Sequence, residues 1–159
     1  MWELIDALRV FAVESDMFVD VFARAHGLGR SDLNAIMWLS QGAEAGQPLT
    51  AGDLAAKIGL GAPATTTLID RLEASGHVRR SRDQRDRRRV IVLVEPAAME
   101  MAAAFFGPLG ARMGETMAER SVQELAFVAS VLRELTVAVV DERAATTLEK
   151  PTGRGSAAA

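Results

Sequence analysis

Cysteine is absent from this 159-residue chain, which excludes disulfides, thiolate metal sites and any thiol-based redox sensing. A reducing compartment suits such a sequence, and the cytoplasm is the expected location. Nowhere does the chain approach the roughly 20 uninterrupted apolar residues of a membrane span, so no membrane partner is expected. The stretch MWELIDALRV has acids at Glu3 and Asp6 where a secretory leader would be basic, and export is not expected. The two histidines, His26 and His77, stand far apart and outside any metal-ligand spacing, so no metal is expected. GxSxG, HExxH, Walker A and GxGxxG patterns are missing. No nucleophile, base and orienting residue group together either, so neither an enzyme nor a cofactor is expected.

Lysine is scarce too: only two of the 18 basic residues are lysines. Seven of the arginines fall in RRSRDQRDRRR, residues 79–89, beside two aspartates. That stretch carries a formal charge of +5 in a chain whose net charge is −3, so the rest of the molecule sums to −8. The charge by itself allows two readings, a solvated arginine-rich loop or a patch that meets a polyanion while the acidic remainder keeps the protein in solution.

Hydrophobic residues make up 49% of the chain, ample for a packed core. Their periodicity is mostly helical. Residues 2–26 carry one apolar row at Leu4, Ile5, Leu8, Phe11, Ala12, Val19 and Phe22 and a second at Val10, Val13, Met17 and Val21, so that one face can pack at home while the other needs a partner. A helix is expected from about Ser31, with Ser31 as N-cap, to near Gly42. A short helix capped by Thr50 follows, and then one with Pro63 in its first turn and Gly76 past its end. HVRRSRDQRDRRRVIVLV has two β-branched, basic segments around a polar centre and predicts a hairpin with its tip near Gln84 to Arg87. Pro96 is expected to open a helix interrupted at GPLG, residues 107–110. The last helix begins at a Ser121/Glu124 capping box and runs to about Thr147. It is apolar around most of its circumference, which predicts burial on more than one side. The tail PTGRGSAAA has too little apolar content to pack and is expected to be disordered.

Two short helices joined by a tight GLGAP turn and followed by a basic hairpin have the organisation of a winged helix-turn-helix. The sequence resembles the MarR family of bacterial transcriptional regulators over nearly its whole length. The most specific part is LTAGDLAAKIGLGAPATTTLIDRLEASGHVRRSRDQRDRRRVIVLV, residues 49–94, with the LIDRLEASG end of the recognition helix and a D-x-x-D-x-R wing signature at Asp83, Asp86 and Arg88. The resemblance implies a mainly α fold with a small β-hairpin wing. Its parts are an N-terminal dimerisation helix (1–30), the DNA-binding domain (31–95), C-terminal dimerisation helices (96–148) and a disordered tail (149–159). It implies a regulator, of repressor type, that binds double-stranded DNA as a homodimer on a pseudo-palindrome. The alternative is a winged-helix module that binds an acidic protein surface and never touches DNA.

Within the recognition helix, Thr65, Leu68, Ile69 and Leu72 fall on one arc and are expected to be buried, leaving Ala62, Pro63, Thr66, Thr67 and Asp70 outward. The outward set has no Arg, Asn or Gln for bidentate base contacts and offers methyl groups and hydroxyls. It also departs from the family pattern, with Gly61 where a serine cap is frequent and Thr67 where an arginine often stands. Expected DNA contacts are Thr50, Ala62, Pro63, Ala64, Thr66, Thr67, Arg71, Arg80, Arg82, Arg85, Arg87 and Arg88. By analogy with the family, Arg88 enters a minor groove, oriented by the carboxylate of Asp70, Asp83 or Asp86, while the other wing arginines meet phosphates. Family members commonly respond to small aromatic or phenolic effectors, and Phe18, Phe22, Trp38 and Phe105, with Phe106, are the residues available for one here.

Overall fold

A computed structural model of the chain describes residues 2–148. Among them run α1 (Trp2–His26), α2 (Arg30–Glu44), α3 (Ala51–Ile58), α4 (Ala62–Ala74), β1 (Val78–Arg82), β2 (Val90–Val94), α5 (Pro96–Ala118) and α6 (Val122–Leu148). The expected tail lies outside the described residues. The chain divides into two compact units, the first ending at Gly107 and the second beginning at Pro108.

The core of the first unit is small and made by every element of the winged helix. Ala35 and Leu39 of α2, Leu54 of α3, Leu68, Ile69 and Leu72 of α4, Val78 of β1 and Val92 of β2 form one buried cluster. On α4 the buried arc is Thr65, Leu68, Ile69 and Leu72, as the helical spacing predicts. The hairpin pairs antiparallel with Arg80 opposite Val92. Side chains alternate across it, so Val78 and Val92 share the face toward the core while Arg79 turns outward. A third strand is reduced to one bridge, Thr50 to Ile91, beside which the Val92 N–H donates to the Leu49 carbonyl at 2.8 Å. That pairing fixes the start of α3 against the root of the wing.

Local chemistry sets the helix ends. Thr50 caps α3 reciprocally with Asp53: the Asp53 N–H donates to Thr50 Oγ1 at 3.2 Å, and the Thr50 N–H donates back to Asp53 Oδ2 at 2.9 Å. Gly59 ends α3 at φ +70°, a conformation that disfavours other residues, and so sets the turn into α4. The start of α2 differs from expectation. Gly29, not Ser31, is the N-cap, and the Asp32 carboxylate reaches back to accept the Gly29 N–H at 2.8 Å. Gly42 does not stop α2, which runs on to Glu44; a Cβ there would lie 2.9 Å from the Gln47 carbonyl oxygen, so glycine is required by the close approach of the 47–49 segment.

α5 also corrects the sequence reading, because it continues through Gly107, Pro108, Leu109 and Gly110 without a break. Pro108 removes the N–H that would bond the Ala104 carbonyl. Residues 107–110 are all exposed, so water can satisfy that carbonyl, and the alanines and methionines on the N-terminal side favour the helix. α6 begins as predicted, with Ser121 Oγ donating to Glu124 Oε2 at 2.7 Å and the Glu124 N–H donating to Ser121 Oγ at 3.2 Å. The Ser121 hydroxyl, and after it the Ser121 backbone N–H, which donates to Glu124 Oε2 at 2.8 Å, hold the Glu124 carboxyl below its ordinary range.

Candidate nucleic-acid interface

The first two turns of α4 present Ala62, Pro63, Ala64, Thr66 and Thr67 to solvent, and Asp70 and Arg71 follow on the exposed side. None of the first five carries a charge. The hydroxyl protons of both threonines are used inside the helix: Thr66 Oγ1 donates to the Ala62 carbonyl at 3.0 Å, and Thr67 Oγ1 donates to the Pro63 carbonyl at 3.1 Å. Gly61 is the N-cap and makes no side-chain cap bond, so the expected absence of a serine cap is structural fact. Thr50 is only half-buried, but its side chain is committed to capping α3.

The seven wing arginines separate into two kinds. Arg80 is a staple. Its guanidinium donates to Asp70 Oδ1 at 2.5 Å and also to Glu73, while its backbone N–H donates to Glu73 Oε1 at 2.9 Å, tying β1 to α4. The Asp70 bond is the main cause of the raised Arg80 pKa, and the Arg80 backbone N–H is the main cause of the lowered Glu73 pKa. Arg89 bridges Asp83 at 3.3 Å and Asp53 at 3.4 Å, joining the base of the wing loop to the first turn of α3. Arg85 Nη1 donates to the Gly46 carbonyl at 3.1 Å, and Arg79 faces Glu95 at 3.4 Å. Arg82, Arg87 and Arg88, all exposed, have no side-chain hydrogen bond or ion pair among the described residues.

The two wing aspartates build the loop rather than orient a reading arginine. Asp83, only 5% exposed, accepts the Arg85 N–H at 2.8 Å, and Asp86 accepts the Arg88 N–H at 3.0 Å. Short carboxylates that accept a backbone N–H two residues on make tight turns, which accounts for acids in a loop otherwise made of cations. The expectation that Asp70, Asp83 or Asp86 holds the Arg88 guanidinium is therefore corrected: Asp70 holds Arg80, Asp83 holds Arg89, and Asp86 holds only the Arg88 backbone. Asp70 lies on α4 within reach of the first residues of β1, a relation invisible in sequence distance. Arg71 pairs at 2.5 Å with Asp32, a carboxylate 4% exposed that also caps α2. This buried acid was missed by sequence reasoning; the only signal was its place three residues after Gly29.

Beside the outer face of the hairpin lies a groove of about 940 Å³, whose cations are Lys57, Arg79, Arg82, Arg85 and Arg89 and whose acids are Asp53, Asp83 and Asp86. A second, apolar cavity of about 350 Å³ is formed by α1, α2 and the first part of α5, lined by Val19, Phe22, Leu33, Asn34, Ile36, Met37, Ser40, Ala98, Met99, Met101, Ala102 and Phe106. Phe22 and Phe106 line it, while Phe18 and Phe105 pack behind them, with ring centroids 4.8 Å apart in the Phe18–Phe105 pair and 5.0 Å apart in Phe22–Phe106. Trp38 is not in the lining; it packs on the winged-helix core with Lys57 Nζ 4.6 Å over its ring. The methionines of the lining, spread over two helices, were not singled out by sequence.

A helix-turn-helix whose second helix is exposed along one face, stapled to a hairpin with three arginines unpaired among the described residues, defines a winged-helix DNA-binding protein. The model of the MarR family matches residues 26–89. An uncharacterized HTH-type transcriptional regulator of Bacillus subtilis (strain 168), YcgE, is 34% identical over 126 residues, 79% of each chain. Among solved structures, a MepR mutant from a multidrug resistant S. aureus clinical isolate superposes with a TM-score of 0.68 at 17% identity, covering 86% of this chain and 96% of that one. NadR in complex with 4-hydroxyphenylacetate does so with a TM-score of 0.60 at 18% identity, covering 82% and 89%. The chain belongs to the MarR family. It is a DNA-binding transcriptional regulator and not an enzyme.

Proposed function

We propose that the protein is a homodimeric repressor that binds a pseudo-palindromic operator and is released from it by a small molecule. The observation that carries the DNA reading is the separation of the wing arginines. Arg80, Arg85 and Arg89 hold the hairpin in place, while Arg82, Arg87 and Arg88 project without partners among the described residues, ready to meet a polyanion at no cost in ion pairs broken there. Arg88 is the minor-groove residue of this reading, and Arg82 and Arg87 are phosphate contacts. The dimer rests on apolar surface that one copy leaves in water: Leu4, Ile5, Val10, Phe11, Val13, Met17 and Val21 on α1, and Phe127, Val128, Leu132, Leu135, Val139 and Val140 on α6, are all exposed. A second copy of the chain covers them, and two-fold symmetry then presents two α4 helices to half-sites about 34 Å apart.

The effector site is the apolar cavity. Its lining has no charged side chain, and of its two polar residues Ser40 already donates to Met99 Sδ at 2.9 Å, leaving the Asn34 amide. A carboxylate buried there would lose its water without gaining a partner. The ligand class is therefore neutral and aromatic, a phenol or arene rather than a phenolic acid.

Selection of bound sequences from randomised duplex DNA tests the whole reading: an inverted repeat of two half-sites is expected, and absence of any enriched site would overturn it. For the effector, neutral phenols should raise the melting temperature and release the selected DNA where the matching acids do neither. Equal effects of both would refute the ligand class.

A further inference from the structure

We propose that Thr66 and Thr67 make the recognition helix a reader of thymine methyl groups that turns guanine away. The inference rests on the reading of α4 as the major-groove element. A threonine facing DNA ordinarily offers a hydroxyl that can donate or accept. Here both protons are spent on the Ala62 and Pro63 carbonyls, at 3.0 and 3.1 Å. What remains outward is two methyl groups and two sets of oxygen lone pairs.

The neighbours carry the pattern further. Ala62 and Pro63 stand one turn before Thr66 and Thr67, so the methyl of Ala62, the ring of Pro63 and the two threonine methyls form a continuous exposed strip with no donor in it. One turn further on stand Asp70 and Arg71, each already committed to an ion pair at 2.5 Å, Asp70 with Arg80 and Arg71 with Asp32. Guanine shows the major groove two acceptors, N7 and O6. Set against this strip the guanine edge loses water with no donor to replace it, and although a G·C pair shares with A·T an amino group for the lone pairs, only the A·T pair adds a methyl for the apolar strip. The code of α4 is thus A·T pairs, with thymine methyls under residues 66 and 67.

The test uses the full-length protein and its selected half-site. Replacing each thymine in turn by deoxyuridine removes one methyl, and at the positions under Thr66 and Thr67 the affinity should fall about fourfold, the worth of burying one such group. Thr66→Val and Thr67→Val keep the methyl and should keep that discrimination. Thr66→Ser and Thr67→Ser remove it, and should bind thymine and uracil duplexes alike with an unchanged melting temperature. Guanines enriched at the centre of the half-site, or indifference of the native protein to every thymine-to-uracil exchange, would overturn the proposal while salt-dependent binding to the same duplex left the DNA reading intact. If no duplex binds at all, it is the DNA reading that falls, and the proposal with it.

Discussion

Among the wing arginines, position in the sequence says little about role, because neighbours three residues apart differ in what they touch. Arg88→Ala is expected to weaken operator binding by roughly 1 to 3 kcal/mol and to relax any preference for A·T pairs flanking the half-sites, while leaving thermal stability unchanged. Arg80→Ala should do the reverse, lowering the melting temperature because Asp70 and Glu73 lose the cation that joins α4 to β1. Parallel titrations and melts of the two variants check the separation, and a large loss of stability in Arg88→Ala would contradict it. Asp70→Ala leaves Arg80 still held by Glu73 and removes an exposed acid near DNA. It should therefore tighten binding slightly at low salt, an effect that vanishes as the Debye length shortens.

Asp53 and Glu73, like Glu124, also contribute to the acid sensitivity of the fold. The bonds from Thr50 hold Asp53 below its usual range, with a smaller contribution from Arg89, and the Arg80 backbone N–H does the same to Glu73. A lowered pKa means that the folded state binds the proton more weakly than the unfolded chain does. The stability they contribute is fully present above the ordinary carboxylate range of about 3.9 to 4.3 and is lost as pH falls through and below it. Denaturant melts should be flat in this respect between neutral pH and about 5, then decline, and Asp53→Asn should make the decline shallower. A decline of the same steepness in that variant would remove Asp53 from the account.

At the scale of elements, the arginine staples that place the wing are joined by backbone contacts made by a loop. Residues 47–49 run close under Gly42 and deliver the Leu49 carbonyl to the Val92 N–H. Gly42→Ala puts a Cβ 2.9 Å from one carbonyl oxygen and 3.0 Å from the Leu49 side chain, and neither neighbour is free to move alone. A loss of about 1 to 3 kcal/mol in stability is expected, measured by chemical denaturation. Ile69→Ala, which empties a fully buried place where α4 meets α2 and α3, should cost about 2 to 5 kcal/mol. α5 shows the opposite case, a helix in which a proline that reads as a break is tolerated because its surroundings are water.

At the scale of the whole molecule, the acidic remainder and the basic wing predict a DNA affinity that depends steeply on salt. A log–log slope near −0.9 for each phosphate neutralised, with on the order of 6 to 10 contacts per dimer, is expected. A flat dependence would mean that the unpaired arginines face something other than DNA. Light scattering should give twice the mass of the 17.0 kDa chain at micromolar concentration, and a monomer would remove the dimer from the proposal.

The sequence by itself determined the elements that depend on neighbours along the chain. The helical spacing of Leu68, Ile69 and Leu72, the Thr50 and Ser121 caps, the hairpin between two β-branched segments and the localised charge were all legible, because each is a matter of a few consecutive residues. The tertiary structure alone decided which acid meets which arginine. Asp32 with Arg71, Asp53 with Arg89 and Asp70 with Arg80 join residues on different elements, and a carboxylate chooses its partner by distance in space. It decided likewise that Trp38 belongs to the core, that Met37, Met99 and Met101 border a cavity, and that the Thr66 and Thr67 protons turn inward. Composition and periodicity specify how a segment folds upon itself; what its outward atoms have left to offer depends on the bonds that the finished fold has already made.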